Sequence, residues 1–413
     1  MKQTLAQKLV ARAAGRSSVT PGEIVTCKVD LAMMHDSGGP RRVKPMLERL
    51  GAKVWDPSKV VVITDHYVPP FDDDSRKIVR IAREWVREAG IDNFHDEQGI
   101  CHVVLPERGH LRPGMFAVGG DSHSPTGGAF AAYMFGVGAT EMLGVLVTGE
   151  IWLKVPHTIV MDFSGKLSAG VSAKDMMLFL IGRFGLDGGQ YQAVEYRGAA
   201  IRALPMQERM TLCNMTAELG GQTGLIASDA VTEQFLKTKI EAWESDPDAA
   251  LMAHHRFDAS ALAPQVAAPH SPANSKAVHE FKHVAPSVAY IGACTGAKLE
   301  DLRMAARVLR NRKSRVKLMV APASLRDQKE AERDGTLKVL QDAGAEFLGL
   351  GCGICAGYGG KVLGENVVAI STTARNFKGR MGAASSQVYL ASPYTVAATA
   401  VAGHVCDPRE MLQ

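Results

Sequence analysis

Three cysteines carry the sharpest chemical signal in this chain. Cys352-Gly-Ile-Cys355 is a CxxC pair inside the glycine-rich stretch 349–360, and Cys294 sits in Ile-Gly-Ala-Cys-Thr-Gly. A CxxC pair alone is open among zinc, an iron–sulfur cluster and a redox dithiol. Cys294 follows an apolar run, as the pair does, so the three thiols can meet across neighbouring strand ends. Three thiolates are one short of the usual four for a structural metal or a cluster. A histidine completes the set, or the fourth position stays open, as a Lewis-acid catalyst requires. Cys27, Cys101, Cys213 and Cys406 read instead as small buried hydrophobes. Seven sparse cysteines, odd in number, do not make a disulfide framework, and a reducing cytoplasm is the natural location.

The second constellation is acid–base. His35-Asp36, Asp65-His66, His102 and Asp121-Ser122-His123 all lie in the first third of the chain, and Glu218 follows in Asn214-Met-Thr-Ala-Glu218. A carboxylate beside an imidazole fixes its tautomer and raises its basicity, as general acid–base work needs. The third element is Arg375-Asn-Phe-Lys-Gly-Arg380, whose two guanidiniums could clamp a dicarboxylate. Gly136-Val-Gly138-Ala-Thr-Glu141 lacks the last glycine of a dinucleotide fingerprint, and no P-loop, HExxH or GxSxG motif occurs.

Short apolar runs must position these groups. Val60–Thr64 runs into Asp65, Ile100–Leu105 carries His102, and Met115–Val118 leads through two glycines to Asp121. Val288–Ile291 leads to Cys294, Phe347–Leu350 to Cys352, and Val367–Ser371 to Arg375. Continuous Val/Ile runs bounded by Gly or Pro read as strands buried on both faces, and open α/β sheets place ligands past the carboxyl ends of such strands. Helical patterns lie between, over 73–89 and 298–310. Thr4 caps an amphipathic helix with Leu5, Leu9, Val10 and Ala13 on one face, ending near Gly15. We prefer this to a transit peptide, which Lys2, Lys8, Arg12 and Arg16 also resemble.

The chain has 413 residues, which predicts two or three domains. The Ala- and Pro-rich segment 261–290 is the best linker, with a weaker boundary near 155–156. Domains are thus expected over 1–155 (the His/Asp motifs), 156–270 (Asn214 and Glu218) and 271–413 (the cysteines and arginines). A hydrophobic content of 46% excludes disorder. A net charge of +4, from 47 basic and 43 acidic residues, gives no reason to expect nucleic acid as the partner, and no apolar run is long enough to span a membrane.

With these motifs assembled, the chain resembles the aconitase superfamily, most closely the family of 3-isopropylmalate dehydratase (isopropylmalate isomerase) large subunits. The resemblance covers essentially the whole chain. It runs from Thr4-Leu-Ala-Gln-Lys-Leu-Val-Ala-Arg-Ala-Ala-Gly15 through Gly120-Asp-Ser-His-Ser124, Asn214-Met-Thr-Ala-Glu218, Cys294-Thr, Cys352-Gly-Ile-Cys355 and the Arg375–Arg380 stretch to Ala391-Ser-Pro393, in the family's order. It implies three α/β/α domains around a central cleft, without the swivelling fourth domain of single-chain aconitases. That domain, with a serine base and another arginine, would come from a separate small subunit. It also implies one [4Fe–4S] cluster on Cys294, Cys352 and Cys355 with an open fourth iron, and Asn214 as a cluster-proximal amide.

The resemblance makes Asp65 with His66 the group that protonates the departing hydroxyl. His102 with Asp121, and His123 with Glu218, support water and the iron-bound oxygens. Ser122, Arg375 and Arg380 hold substrate carboxylates, with His35 and Asp36 on the substrate side. The family usually has Ser before the first cysteine and Thr-Asn after it, and Gly-Pro inside the CxxC. Here Ala293, Gly296 and Ile354 stand at the differing positions. These departures bear on the substrate: 3-isopropylmalate in leucine biosynthesis leads, with 2,3-dimethylmalate, homoaconitate, maleate and citraconate as alternatives. A non-catalytic metal or redox protein and an RNA-binding regulator are the competing classes.

Overall fold

The structure, a computed structural model, describes residues 2–358 and 362–412. Gly359 and Gly360, the end of the glycine-rich stretch, lie outside the described residues.

Hydrophobic pattern becomes layers most clearly in the first parallel sheet. Its five strands run in the order Phe94–Asp96, Val60–Thr64, Leu31–His35, Phe116–Gly119 and Tyr133–Gly136, all parallel. All five residues of Val60–Thr64 are buried. Alternate side chains feed opposite cores: Val61 and Ile63 join one cluster, Val60 and Val62 the other. A strand with apolar layers on both faces needs no polar alternation, which is why its sequence reads as a continuous run. Full burial of one such side chain stabilises by about 1.5–3 kcal/mol relative to exposure.

Strand order reverses at Leu31–His35, whose neighbours are Val60–Thr64 on one side and Phe116–Gly119 on the other. The segments leaving these three carboxyl ends carry His35, Asp65-His66 and Asp121. A second parallel sheet is ordered Thr223–Leu225, Ala193–Arg197, Thr158–Ser164, Ala253–Asp258. The third sheet has seven strands. Its parallel part places Val288–Ile291 between Val368–Ser371 and Lys317–Val320, another reversal of order. Cys294 and the Thr372–Arg375 turn leave that edge. A two-stranded ribbon, Ile24–Lys28 with Glu150–Lys154, stands apart.

The N-terminal helix Leu5–Ala13 forms as its sequence suggests. Thr4 Oγ1 accepts from the Gln7 N–H at 3.3 Å, and Gln7 Oε1 accepts from the Thr4 N–H at 3.0 Å, a reciprocal capping box. Leu5, Leu9 and Val10 are fully buried, so this helix is built into the core. No helix among the described residues is long and apolar enough to cross a membrane.

Three local expectations are corrected. The apolar run 100–105 is not a strand: Cys101–Glu107 is a helix. Periodicity cannot separate a short buried helix from a buried strand. A tertiary contact decides it, because the Asp65 carboxylate accepts from the Cys101 N–H at 2.7 Å and so caps the helix start. The run 347–350 yields strand only over Glu346–Phe347, before the turn at Gly349 and Gly351. The segment 261–290 is not a linker. Gln265–Ala267 is wholly buried and pairs antiparallel with Ser275–Ala277 and Gln387–Ala391, so the third sheet already includes residues before 271. Three-residue strands broken by prolines leave no readable period.

Candidate active site

A cavity of about 240 Å³ separates the carboxyl edges of the first and third sheets. His35, His66, His102, Asp121, Ser122 and His123 line it from one side, and Cys294, Cys352, Cys355, Arg375 and Arg380 from the other. Larger cavities of about 460 and 560 Å³ lie elsewhere, but neither is lined by a cysteine or by more than one histidine.

Asp121 is the hub of the acid–base wall. Its Oδ1 accepts from His102 Nε2 at 2.7 Å and from the His123 backbone N–H at 2.8 Å. Its Oδ2 lies 3.8 Å from His35 Nε2 and 3.9 Å from His66 Nε2. Burial pushes this carboxyl up, but His102 and His123 outweigh it and hold Asp121 well below the usual carboxylate range. His102 reaches the hub from the first turn of the helix capped by Asp65.

Asp65 orients His66. Its Oδ1 accepts from His66 Nδ1 at 2.6 Å, while Oδ2 caps the helix. Burial opposes the ionised carboxylate, yet the neighbouring His66 and the two hydrogen bonds bring Asp65 down to about 2. Burial likewise opposes a charged His66, but the Asp65 charge outweighs it and raises His66 well above its ordinary value. Nδ1–H is committed to Asp65, so Nε2 carries the second proton toward the cavity. His35 stacks on His66 at 4.1 Å, and its Nε2 donates to the Gly120 carbonyl at 3.0 Å. Burial and the His66 charge lower His35, which stays neutral beside its protonated neighbour.

Asp36 does not stand on the substrate side. Its carboxylate accepts from the backbone N–H groups of Asp65 (3.1 Å), His66 (3.0 Å) and Tyr67 (2.7 Å), and only 1% of the residue is exposed. It ties two adjacent strand ends together. Three of its roughly four acceptor sites are taken by backbone, and it does not line the cavity.

Glu218 bridges the two walls. Its Oε1 accepts from His123 Nε2 at 2.9 Å and Arg375 Nε at 2.5 Å. Burial raises this carboxyl, but both cations overcome it and bring Glu218 to about 2. Asn214 donates from Nδ2 to Thr126 Oγ1 at 2.8 Å and to Cys294 Sγ at 3.3 Å.

Sequence reasoning missed two buried ammonium groups that hold the third-sheet loops. Lys174 Nζ donates to Thr295 Oγ1 and to the carbonyls of Thr372 and Thr373 at 2.7–3.2 Å, and burial lowers it to about 8. Lys298 Nζ donates to the Cys294 carbonyl, Thr211 Oγ1 and Asp301. Lysine in an amphipathic helix reads as surface, so neither left a sequence signal. Tyr358, stacked on Tyr67 at 4.8 Å, also lines the cavity.

The model of the aconitase family (aconitate hydratase) matches residues 6–403. The chain belongs to the aconitase family. It is 43% identical to 3-isopropylmalate dehydratase large subunit 1 of Methanopyrus kandleri over the whole of both chains. It is 44% identical to a probable methanogen homoaconitase large subunit of Methanosarcina mazei, over 93% of this chain and 99% of that one. The crystal structure of holo aconitase X from Thermococcus kodakaraensis shares the fold, with a TM-score of 0.53 at 13% identity over 85% of this chain and 84% of that one.

The aconitase family implies an iron–sulfur cluster, and the residues fit one. Cys294, Cys352 and Cys355 are free and line one cavity. Among the described residues, the groups tight enough for a single ion are His35/Asp36/Asp65/His66 and His102/Asp121/His123; neither includes a cysteine. The thiols therefore suit a wider group better than one zinc ion. Four buried polar atoms around them lack partners: Asn214 Oδ1, Glu218 Oε2, Tyr290 Oη and Arg380 Nε. Such concentration beside three free thiols marks a place where a polar group belongs. Burial lifts the Cys352 thiol to about 11 although His66 pulls it down, so metal uptake must release protons.

Proposed function

We propose that this chain is the large, cluster-bearing subunit of a hydro-lyase that isomerises a substituted malate by dehydration and rehydration. The observation that carries this reading is the facing of three free cysteines, a histidine set centred on Asp121 and two arginines across one cavity. Cys294, Cys352 and Cys355 would hold a [4Fe–4S] cluster and leave one iron without a protein ligand. When bound, the cluster supplies a Lewis acid for the substrate hydroxyl and an adjacent carboxylate.

The remaining work falls to the chain's own side chains. His66 holds a proton at Nε2, because Asp65 occupies Nδ1, and delivers it to the departing hydroxyl. His102 on Asp121, and His123 on Glu218, orient the water and oxygen atoms around the reacting carbon. Ser122, Arg375 and Arg380 hold carboxylates. Arg375 is fixed through Nε by Glu218, which leaves its terminal nitrogens for the substrate. His35 acts as a neutral donor–acceptor behind His66.

The relatives named above are large subunits, and this chain spans all or nearly all of their length. We therefore assign the proton-abstracting base and a further arginine to a separate small subunit. The first substrate is 3-isopropylmalate, in leucine biosynthesis. The similarity to a probable homoaconitase large subunit favours a homoaconitate-type acid as the second. The free thiols fit a cytoplasmic enzyme. A catalytic role is favoured over a metal-storage, redox or RNA-binding role because the acid–base wall serves no purpose in those.

The test is anaerobic reconstitution of the cluster, alone and with the small subunit, followed by turnover on 3-isopropylmalate, homoaconitate, 2,3-dimethylmalate, maleate and citraconate. Turnover should require both chains and favour one acid. A fully loaded pair inert on all of them overturns the proposal.

A further inference from the structure

Tyr290 has a role that neither the acid–base wall nor the cysteine ligands account for. It lies in Val288–Ile291, the strand that leads into the Cys294 loop, and is fully buried. Its ring folds back along the strand over Gly292: a Cβ on that glycine would lie 2.1 Å from Tyr290 Cζ. The hydroxyl ends beside Gly353, within the Cys352–Cys355 turn, where a Cβ would lie 3.1 Å from Oη. Only glycine permits this path at Gly292, so one cysteine loop is open for the phenol to reach the other.

At the end of that path Tyr290 Oη has no hydrogen-bond partner and no solvent. A buried tyrosine hydroxyl normally finds an acceptor, and leaving one unmade is costly. Gly353, which Oη approaches, lies between Cys352 and Cys355 in sequence, so the phenol faces the turn that carries both thiols. We propose that Tyr290 donates a hydrogen bond from Oη to a sulfur of the bound cluster or of its CxxC ligands. It is thus a positioning residue that tunes the cluster, not a group that touches substrate. A donor to cluster sulfur favours the more negative, reduced form and raises the reduction potential.

This inference rests on the cluster reading, and the experiment separates the two. Wild-type chain and Y290F are reconstituted anaerobically. Iron and sulfide are counted, the midpoint potential is measured, and exchangeable protons coupled to the reduced cluster are read by electron–nuclear double resonance. The expected result is equal iron and sulfide, a reduction equilibrium about tenfold less favourable in Y290F, which is about 59 mV for one electron, and loss of one exchangeable coupling. Should Y290F fail to load, 3-fluorotyrosine placed at position 290 keeps the shape and strengthens the donor, and the potential must rise. Unchanged potential and couplings in a loaded variant overturn the Tyr290 role alone. A wild-type chain that takes up no iron and sulfide overturns both.

Discussion

Replacing Glu218 by Gln tests whether the two walls of the cavity are joined by charge. Glu218 is 4% exposed and accepts from His123 and Arg375 through one oxygen. Its carboxyl moves from an ordinary 4.5 to about 2. At about 1.4 kcal/mol per pKa unit, that difference is worth about 3 kcal/mol at neutral pH. Arg375 keeps 19% side-chain exposure, so losing its anion costs no more than the low end of the roughly 3–5 kcal/mol of broken buried pairs, which agrees. The folded-state value is depressed, so the stability is fully present above 4.5 and is lost as pH falls toward 2. E218Q should therefore unfold about 3 kcal/mol more easily in urea at pH 7, and by about pH 3 roughly half or less of that gap should remain. Activity should fall at least ~100-fold, because His123 and Arg375 lose their common anchor. Equal urea stability at pH 7, or a gap that does not shrink on acidification, would refute the electrostatic account of this bridge.

Other perturbations separate roles that share the cavity. H66Q should lower kcat by about 10²–10⁴ while cluster content stays at the wild-type level, because His66 holds a proton and is not a ligand; iron analysis beside the rate checks both halves. K174M removes the donor to Thr295, Thr372 and Thr373. It should cost about 1–3 kcal/mol, since the buried Thr373 carbonyl loses its donor while Thr372 keeps Thr295 Oγ1, and it should slow cluster uptake, read by thermal melting and reconstitution kinetics. Glu107 is raised to about 8 by burial and by Asp327. Its elevation means stability present below 4.5 is lost as pH rises through 8. E107Q should thus be more stable than wild type at pH 8 by about 1–2 kcal/mol, discounted for partial exposure, and no more stable at pH 4.5, as paired melts at the two values will show.

Much of this site was legible because its residues sit where buried strands stop. Val60–Thr64 and Val288–Ile291 announce themselves as unbroken apolar runs, and Asp65, His66 and Cys294 follow within a few residues. What stayed hidden depends on contacts between distant segments. His102 rides on a helix whose start is capped by Asp65, 37 positions back from the His and visible only once folded. Asp36 looks like a site carboxylate in sequence, yet it binds three backbone N–H groups and joins two strand ends. Lys174 and Lys298 are cations in helical segments, and only tertiary packing turns them inward. Asp121 was expected to serve His102; that it also lies within 4 Å of His35, His66 and His123 is set by the meeting of strand ends at one reversal of the sheet.

We propose that three cysteines hold a cluster with one iron left for substrate. Mössbauer spectroscopy of the chain reconstituted anaerobically with isotopically enriched iron tests it most directly. Iron and sulfide should be present in equal amounts, with one iron of each cluster distinct from the rest and its spectrum moved by the substrate in the presence of the small subunit. Iron sites that are all alike and indifferent to substrate, or a colourless protein holding zinc, would contradict it.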